Sequence, residues 1–138
     1  MAKITKINHV GIVVGDMDAS LAFWQEAMGM KLNKLEDVPS EQVTIAFLPV
    51  GESEVELVKP TTEESGVAKF LADKNGVGGM HHLCFEVDDI EEMMAQLKEK
   101  GVRLLSDTPK ELPGRKMVFV HPKSTGGVLV ELYQTINE

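Results

Sequence analysis

The chain repeats itself. His9-Val10-Gly11-Ile12-Val13-Val14-Gly15-Asp16-Met17-Asp18 returns as His82-Leu83-Cys84-Phe85-Glu86-Val87-Asp88-Asp89-Ile90-Glu91, and Val55-Glu56-Leu57 returns as Val130-Glu131-Leu132. Each copy places a histidine and a glutamate at matching positions, 47 residues apart in the first (9 to 56) and 49 in the second (82 to 131). A duplication that keeps this spacing while the sequence between drifts restricts the fold to two like modules. It also supplies two imidazoles and two carboxylates, a set that can hold a metal ion.

Both copies read as βαβββ. In the first, 7–14 is β-branched and alternating, which puts His9, Gly11 and Val13 on one face of a strand. Asp18 is expected to cap a helix carrying Leu21, Phe23, Trp24, Ala27 and Met28, which Gly29 stops. Strands are expected over 30–35, 42–50 and 53–59, then a short helix over 62–74 and a glycine-rich joint, Gly76-Val77-Gly78-Gly79. The second copy repeats the order with a strand over 80–87, a helix over 90–100 ended by Gly101, and strands over 102–105, 116–121 and 127–133. Ile90, Met93, Met94 and Leu97 fall at i, i+3, i+4 and i+7, a stripe for core packing. The expected class is α+β, with tandem modules at about 5–60 and 80–134 inside one domain spanning 1–138.

Composition narrows the function. With 43% hydrophobic residues in 138 the chain can bury a core, and 14 basic against 22 acidic residues (net charge -8) disfavour nucleic acid as a partner. No apolar run reaches membrane-spanning length and the N-terminus lacks an apolar signal region, so no membrane association is expected. The single cysteine, Cys84, excludes an internal disulfide and reads as a small buried hydrophobe in a reducing, cytoplasmic setting.

Strand alternation places Glu56 and Glu131 opposite the apolar residues beside them. Glu131 stands out, because its own face carries Leu129 and Tyr133, whereas Glu56 shares its face with Glu54. His9, Glu56, His82 and Glu131 form a mixed nitrogen and oxygen set that suits a divalent first-row ion, Co, Zn, Mn or Ni, better than a thiolate site would. Four protein ligands on an octahedral ion leave two neighbouring positions for a chelating substrate, and charge there favours an enolate formed between two substrate oxygens. His81 points away from His82 and reads as structural.

Ile7-Asn8-His9-Val10-Gly11-Ile12, Gly79-Met80-His81-His82-Leu83, and His121-Pro122-Lys123 through Gly127-Val128-Leu129-Val130-Glu131-Leu132 closely resemble the methylmalonyl-CoA epimerase family, within the vicinal oxygen chelate (glyoxalase/bleomycin resistance/dioxygenase) superfamily. The resemblance covers essentially the whole chain. It implies paired βαβββ modules forming a curved mixed sheet around a divalent metal, with His9, His82 and Glu131 at the family's firmest ligand positions and Glu56 at the fourth. It also implies a homodimer and an acyl-CoA substrate whose carboxylate and thioester carbonyl chelate the ion, so that two-sided proton exchange interconverts the (R) and (S) forms. Some relatives place a glutamate base on the strand that here reads Val43-Thr44-Ile45-Ala46-Phe47, and Ile45 stands at that position. Glu131 is then the first candidate for the proton carrier, with Glu56 or Glu41 for the opposite face. Arg115 and Lys123 are candidates for the phosphates of CoA, in a local basic excess with Lys110 and Lys116.

Two other functions fit the same residues. A glyoxalase I-like lactoylglutathione lyase uses a His/Glu/His/Glu set resembling His9, Glu56, His82 and Glu131, and a non-enzymatic small-molecule binding protein of the same fold needs no metal. The His-His and His-Pro-Lys segments favour the epimerase.

Overall fold

The structure is a computed structural model that describes residues 1–136. It divides into two compact units: a first unit, His9–His81, and a second, made of Met1–Asn8 with the chain from His82 onward. Two strands serve both units, β1 (Ile4–Val14) and β5 (Gly78–Val87).

In the first unit β2 (Lys34–Val38), β3 (Val43–Val50) and β4 (Ser53–Pro60) join β1 in the order β2-β3-β4-β1. The β1–β4 pair is parallel and sets Gly11 opposite Glu56; the others are antiparallel. Alternation gives this sheet two buried faces. On one, Val14, Ala46, Leu48 and Leu57, with Ile12 and Val55, pack against Met17, Leu21 and Trp24. These come from α1 (Met17–Leu21) and the π-helical turn Ala22–Ala27 that continues it. On the other, Val13, Val43 and Val58, with Ile45, meet Val67, Phe70 and Leu71 of α2 (Gly66–Asp73). His9 and Glu56 lie along this second face, since they alternate in step with Val13 and Val58. Leu48 and Leu57 are fully buried, so truncating either to Ala costs about 2–5 kcal/mol.

The start of β5 is held to the first unit by a close backbone approach. A Cβ on Gly78 would lie 2.0 Å from the Val13 carbonyl oxygen, and its φ of +87° suits glycine as well. Only glycine fits there.

In the second unit β5 continues into the order β5-β8-β7-β6, with β6 (Lys110–Leu112), β7 (Arg115–Val120) and β8 (Leu129–Thr135). The β5–β8 pair is parallel and sets Cys84 opposite Glu131; β8–β7 and β7–β6 are antiparallel. The helix α3 (Ile90–Glu99) buries Ile90, Met93 and Met94 against Val87, Val118, Val120 and Leu132, so the expected methionine stripe is core. Ala2 joins this cluster. A polar clasp fixes the N-terminal residues: Lys3 N–H donates to Asp88 Oδ1 at 2.9 Å, and Lys6 Nζ lies 3.3 Å from Glu86 Oε2. Alternation then leaves His82, Cys84, Glu131, Tyr133, Met117 and Phe119 on the face away from α3.

Several local expectations shift. The helix after β1 is capped by Asp16, whose carboxylate accepts from the Ala19 N–H at 3.0 Å, not by Asp18. The strand expected over 30–35 forms at Lys34–Val38. The strand expected over 102–105 is replaced by a single bridge, Leu104 to Val120, and pairing with β7 falls to Lys110–Leu112. Among the described residues no helix is long and apolar enough to cross a membrane.

Candidate functional site

Each unit contains one of the His–Glu pairs expected from the repeat. In the first, His9 Nδ1 lies 3.2 Å from Glu56 Oε2, with the two side chains 3% and 13% exposed. In the second, His82 Nε2 lies 3.8 Å from Glu131 Oε1, at 14% and 7%. The strand register produces both: Glu56 sits opposite the residue two past His9, and Glu131 opposite the residue two past His82. Burying a carboxylate is costly unless charge or hydrogen bonds compensate it, and each glutamate has an imidazole as a neighbour.

These distances fit shared ligation. Two donors on one ion, with metal–nitrogen and metal–oxygen bonds of about 2.0–2.2 Å, can stand up to roughly 4.3 Å apart. Both pairs lie inside that limit. At 3.8 Å the His82–Glu131 pair exceeds an ordinary hydrogen bond, so its geometry suits two donors converging on a cation. The imidazole and carboxylate donors match a divalent first-row ion.

A third potential donor stands beside the second pair. Cys84 is fully buried, and its sulfur lies within 4.8 Å of a Glu131 carboxylate oxygen. Composition marked it only as a small apolar filler; its register opposite Glu131 is the signal that places it here.

The neighbouring residues sort themselves by contact. The His81 ring stands edge-on to Phe70 of α2 with centroids 4.9 Å apart, a packing contact. Ile45 packs into the apolar cluster of Val13, Val43 and Val58, on the face that carries Glu56. Glu41 lies in the exposed turn between β2 and β3. The Arg115 guanidinium stands over the Tyr133 ring at 5.1 Å, and Tyr133 follows Glu131 by two residues on the same face. The Arg115 Nε is buried with no hydrogen-bond partner among the described residues.

His121 Nδ1 accepts from the Lys123 N–H at 3.1 Å and caps the 3-10 turn Pro122–Ser124, leaving the Lys123 side chain exposed. Lys116 is drawn away from the basic group, because its ammonium donates to Glu91 of α3 at 2.7 Å. That hydrogen bond holds the Glu91 carboxyl below its ordinary range and raises Lys116.

Residues 6–132 match the Glyoxalase/Bleomycin resistance protein/Dioxygenase superfamily. The chain belongs to this superfamily. It is 41% identical over 133 residues to the ethylmalonyl-CoA/methylmalonyl-CoA epimerase of Cereibacter sphaeroides, covering 95% of this chain and 98% of that protein. It is 40% identical over 130 residues to the mitochondrial methylmalonyl-CoA epimerase of Homo sapiens, covering 94% and 73%. A solved methylmalonyl-CoA epimerase in complex with methylmalonyl-CoA and NH4+ matches with a TM-score of 0.82 at 36% identity, over 96% of each chain. The resemblance read from the sequence is borne out, and so is the vicinal oxygen chelate fold of tandem βαβββ modules.

Proposed function

We propose that this chain is a metal-dependent epimerase interconverting the (R) and (S) forms of methylmalonyl-CoA, with residues 1–138 working as one vicinal oxygen chelate domain. One observation carries the reading: a carboxylate only 5% exposed, Glu131, faces an imidazole across 3.8 Å in a chain 41% identical to a named epimerase of this substrate class. His9, Glu56, His82 and Glu131 are the proposed ligands of a Co, Zn, Mn or Ni ion. When bound, such an ion supplies positive charge to the two oxygens flanking the substrate's α-carbon and so lowers the cost of removing the proton between them.

The remaining roles belong to the protein's own groups. Glu131 takes the α-proton and returns it, since it is a buried carboxylate on the strand face that carries the proposed ligand His82. Epimerisation needs delivery to either side of the α-carbon, and Glu56 is the proposed partner for the opposite side. Ile45 carries no proton and cannot share this task. Arg115 and Lys123 are proposed to meet the phosphates of CoA, Arg115 held by the Tyr133 ring and Lys123 reaching from its exposed turn. A homodimer is proposed on the family resemblance, and sedimentation at low micromolar concentration checks it: a monomer would end that part of the proposal. A cytoplasmic setting is proposed on the single buried thiol, Cys84.

One assay pair tests the function. The metal-loaded protein should exchange the α-hydrogen of methylmalonyl-CoA with solvent deuterium and leave a glutathione hemithioacetal untouched. The reverse result would assign the site to a lactoylglutathione lyase, and inertness toward both would leave a binding protein.

A further inference from the structure

Each unit sets a phenylalanine across an antiparallel ladder from its glutamate: Phe47 of β3 pairs with Glu56, and Phe119 of β7 pairs with Glu131. Residues directly opposed in this way share a face, with Cβ atoms about 4.5–5.5 Å apart. The two rings are dressed differently. Lys34 Nζ stands over the Phe47 ring at 4.9 Å, whereas among the described residues no cation stands over Phe119. Val118 and Val120 turn to the other face and pack in the α3 cluster, which leaves Phe119 half-buried beside a carboxylate only 5% exposed. The flanks of Glu131 are therefore unequal: fully buried Cys84 stands on the β5 side, and a ring with accessible apolar surface on the β7 side.

We propose that Phe119 is the specificity wall for the α-alkyl group of the acyl-CoA substrate, admitting a small group such as methyl beside Glu131 and disfavouring longer ones. The inference rests on the epimerase reading given above and adds to it the residue that meets the substituent. A base must stand within hydrogen-bond reach of the proton it removes, so the substituent on the same carbon comes against the side chains that flank the carboxylate. Buried Cys84 offers that group little surface, and the Phe119 ring offers more. Only the proton changes sides in an epimerisation, and the α-carbon passes through a planar enolate. The alkyl groups of both epimers therefore stay near one place, and one fixed wall serves both. An apolar ring suits such a group, because each methylene in a hydrophobic pocket changes discrimination by about 10–200-fold. The competing account is that the ring only fills space over the sheet.

Exchange of the α-hydrogen with solvent deuterium, measured as kcat/KM for methylmalonyl-CoA and for butylmalonyl-CoA with the metal-loaded full chain, separates the two. Phe119→Ala should raise the butyl-to-methyl ratio about tenfold or more, and Phe119→Leu, which keeps an apolar side chain, should raise it less. Val118→Ala, on the face packed against α3, should lower stability and leave the ratio at its wild-type value. A ratio unchanged in both Phe119 variants, or moved as far by Val118→Ala, would overturn the proposal and leave the epimerase reading standing. If the wild-type protein exchanges neither ester, the epimerase reading falls and this inference with it. Phe119→Leu decides where Phe119→Ala fails to fold.

Discussion

The two His–Glu pairs are copies of one arrangement, and they have diverged. The first holds its partners at 3.2 Å through His9 Nδ1, with no side chain at Gly11 opposite the glutamate; the second holds them at 3.8 Å through His82 Nε2, with Cys84 opposite. Burial is exchanged between the partners: Glu56 is 13% and Glu131 7% exposed in their side chains, whereas His9 is 3% and His82 14%. A closer pair can satisfy itself as an ion pair; a wider one whose carboxylate is the more buried member benefits more from a cation between its members. The contrast supports the proposal that both pairs ligate the ion and that the second carries the principal proton transfer.

The histidines give the largest expected effect. His82→Ala should cost more metal affinity than the roughly 10–100-fold lost with an outer-shell partner, while His81→Ala, which removes a packing contact with Phe70, should leave the ion in place. Element analysis of the purified variants checks this. Metal lost from His81→Ala and kept in His82→Ala would show that the wrong neighbour has been assigned to the second pair.

The units also close their strands differently, which predicts a stability contrast. Gly78→Ala forces a Cβ into the Val13 carbonyl at a positive φ and should cost about 2–5 kcal/mol, or prevent folding. Asp88→Ala removes the exposed hydrogen bond to Lys3 from the second unit's clasp and should cost only about 1 kcal/mol. Chemical denaturation of the two variants measures both, and equal costs would break the contrast.

The smallest effect concerns the pair that removes Lys116 from the basic group. Glu91 is depressed from its ordinary 4.5, so its contribution is present above that value and is lost as the pH falls through the lower folded value. Lys116 is raised from 10.5, so its share is present below that value and is lost as the pH rises through the higher folded one. Wild type should therefore melt slightly above Glu91→Gln at neutral pH, and the gap should narrow as the pH is lowered below 4.5. A gap that persists in acid would mean that Glu91 stabilises through something other than its charge.

The repeat made the site legible. Nearly equal spacing singles out His9, Glu56, His82 and Glu131, and parallel pairing of the first and last strands of each copy is what turns that spacing into proximity. The strands that carry these residues alternate cleanly, so their faces could be read from the chain. Elements without such a pattern were harder. Met30 and Leu32 looked like strand residues because they are apolar, but they pack as irregular chain against the cluster under Leu48 and Leu57. Val102 and Leu104 likewise reach the core beside α3 from a segment with one bridge, while the true edge strand, Lys110–Leu112, is mostly polar. Apolar content reports burial, and only the ladder reports a strand. The proximity of Cys84 to Glu131 depends on register across two strands 47 residues apart (84 to 131), which no local pattern announces.

Glu131 is the proposed carrier of the proton. Solvent-deuterium incorporation at the α-carbon, measured separately from each epimer of methylmalonyl-CoA with metal-loaded Glu131→Gln, tests it most directly. Glutamine keeps the shape and one ligand oxygen but cannot accept the proton. Exchange should fall by roughly 10²–10⁴-fold while the CoA ester still binds. Near wild-type exchange from both epimers would contradict the account and leave Glu131 as a ligand alone.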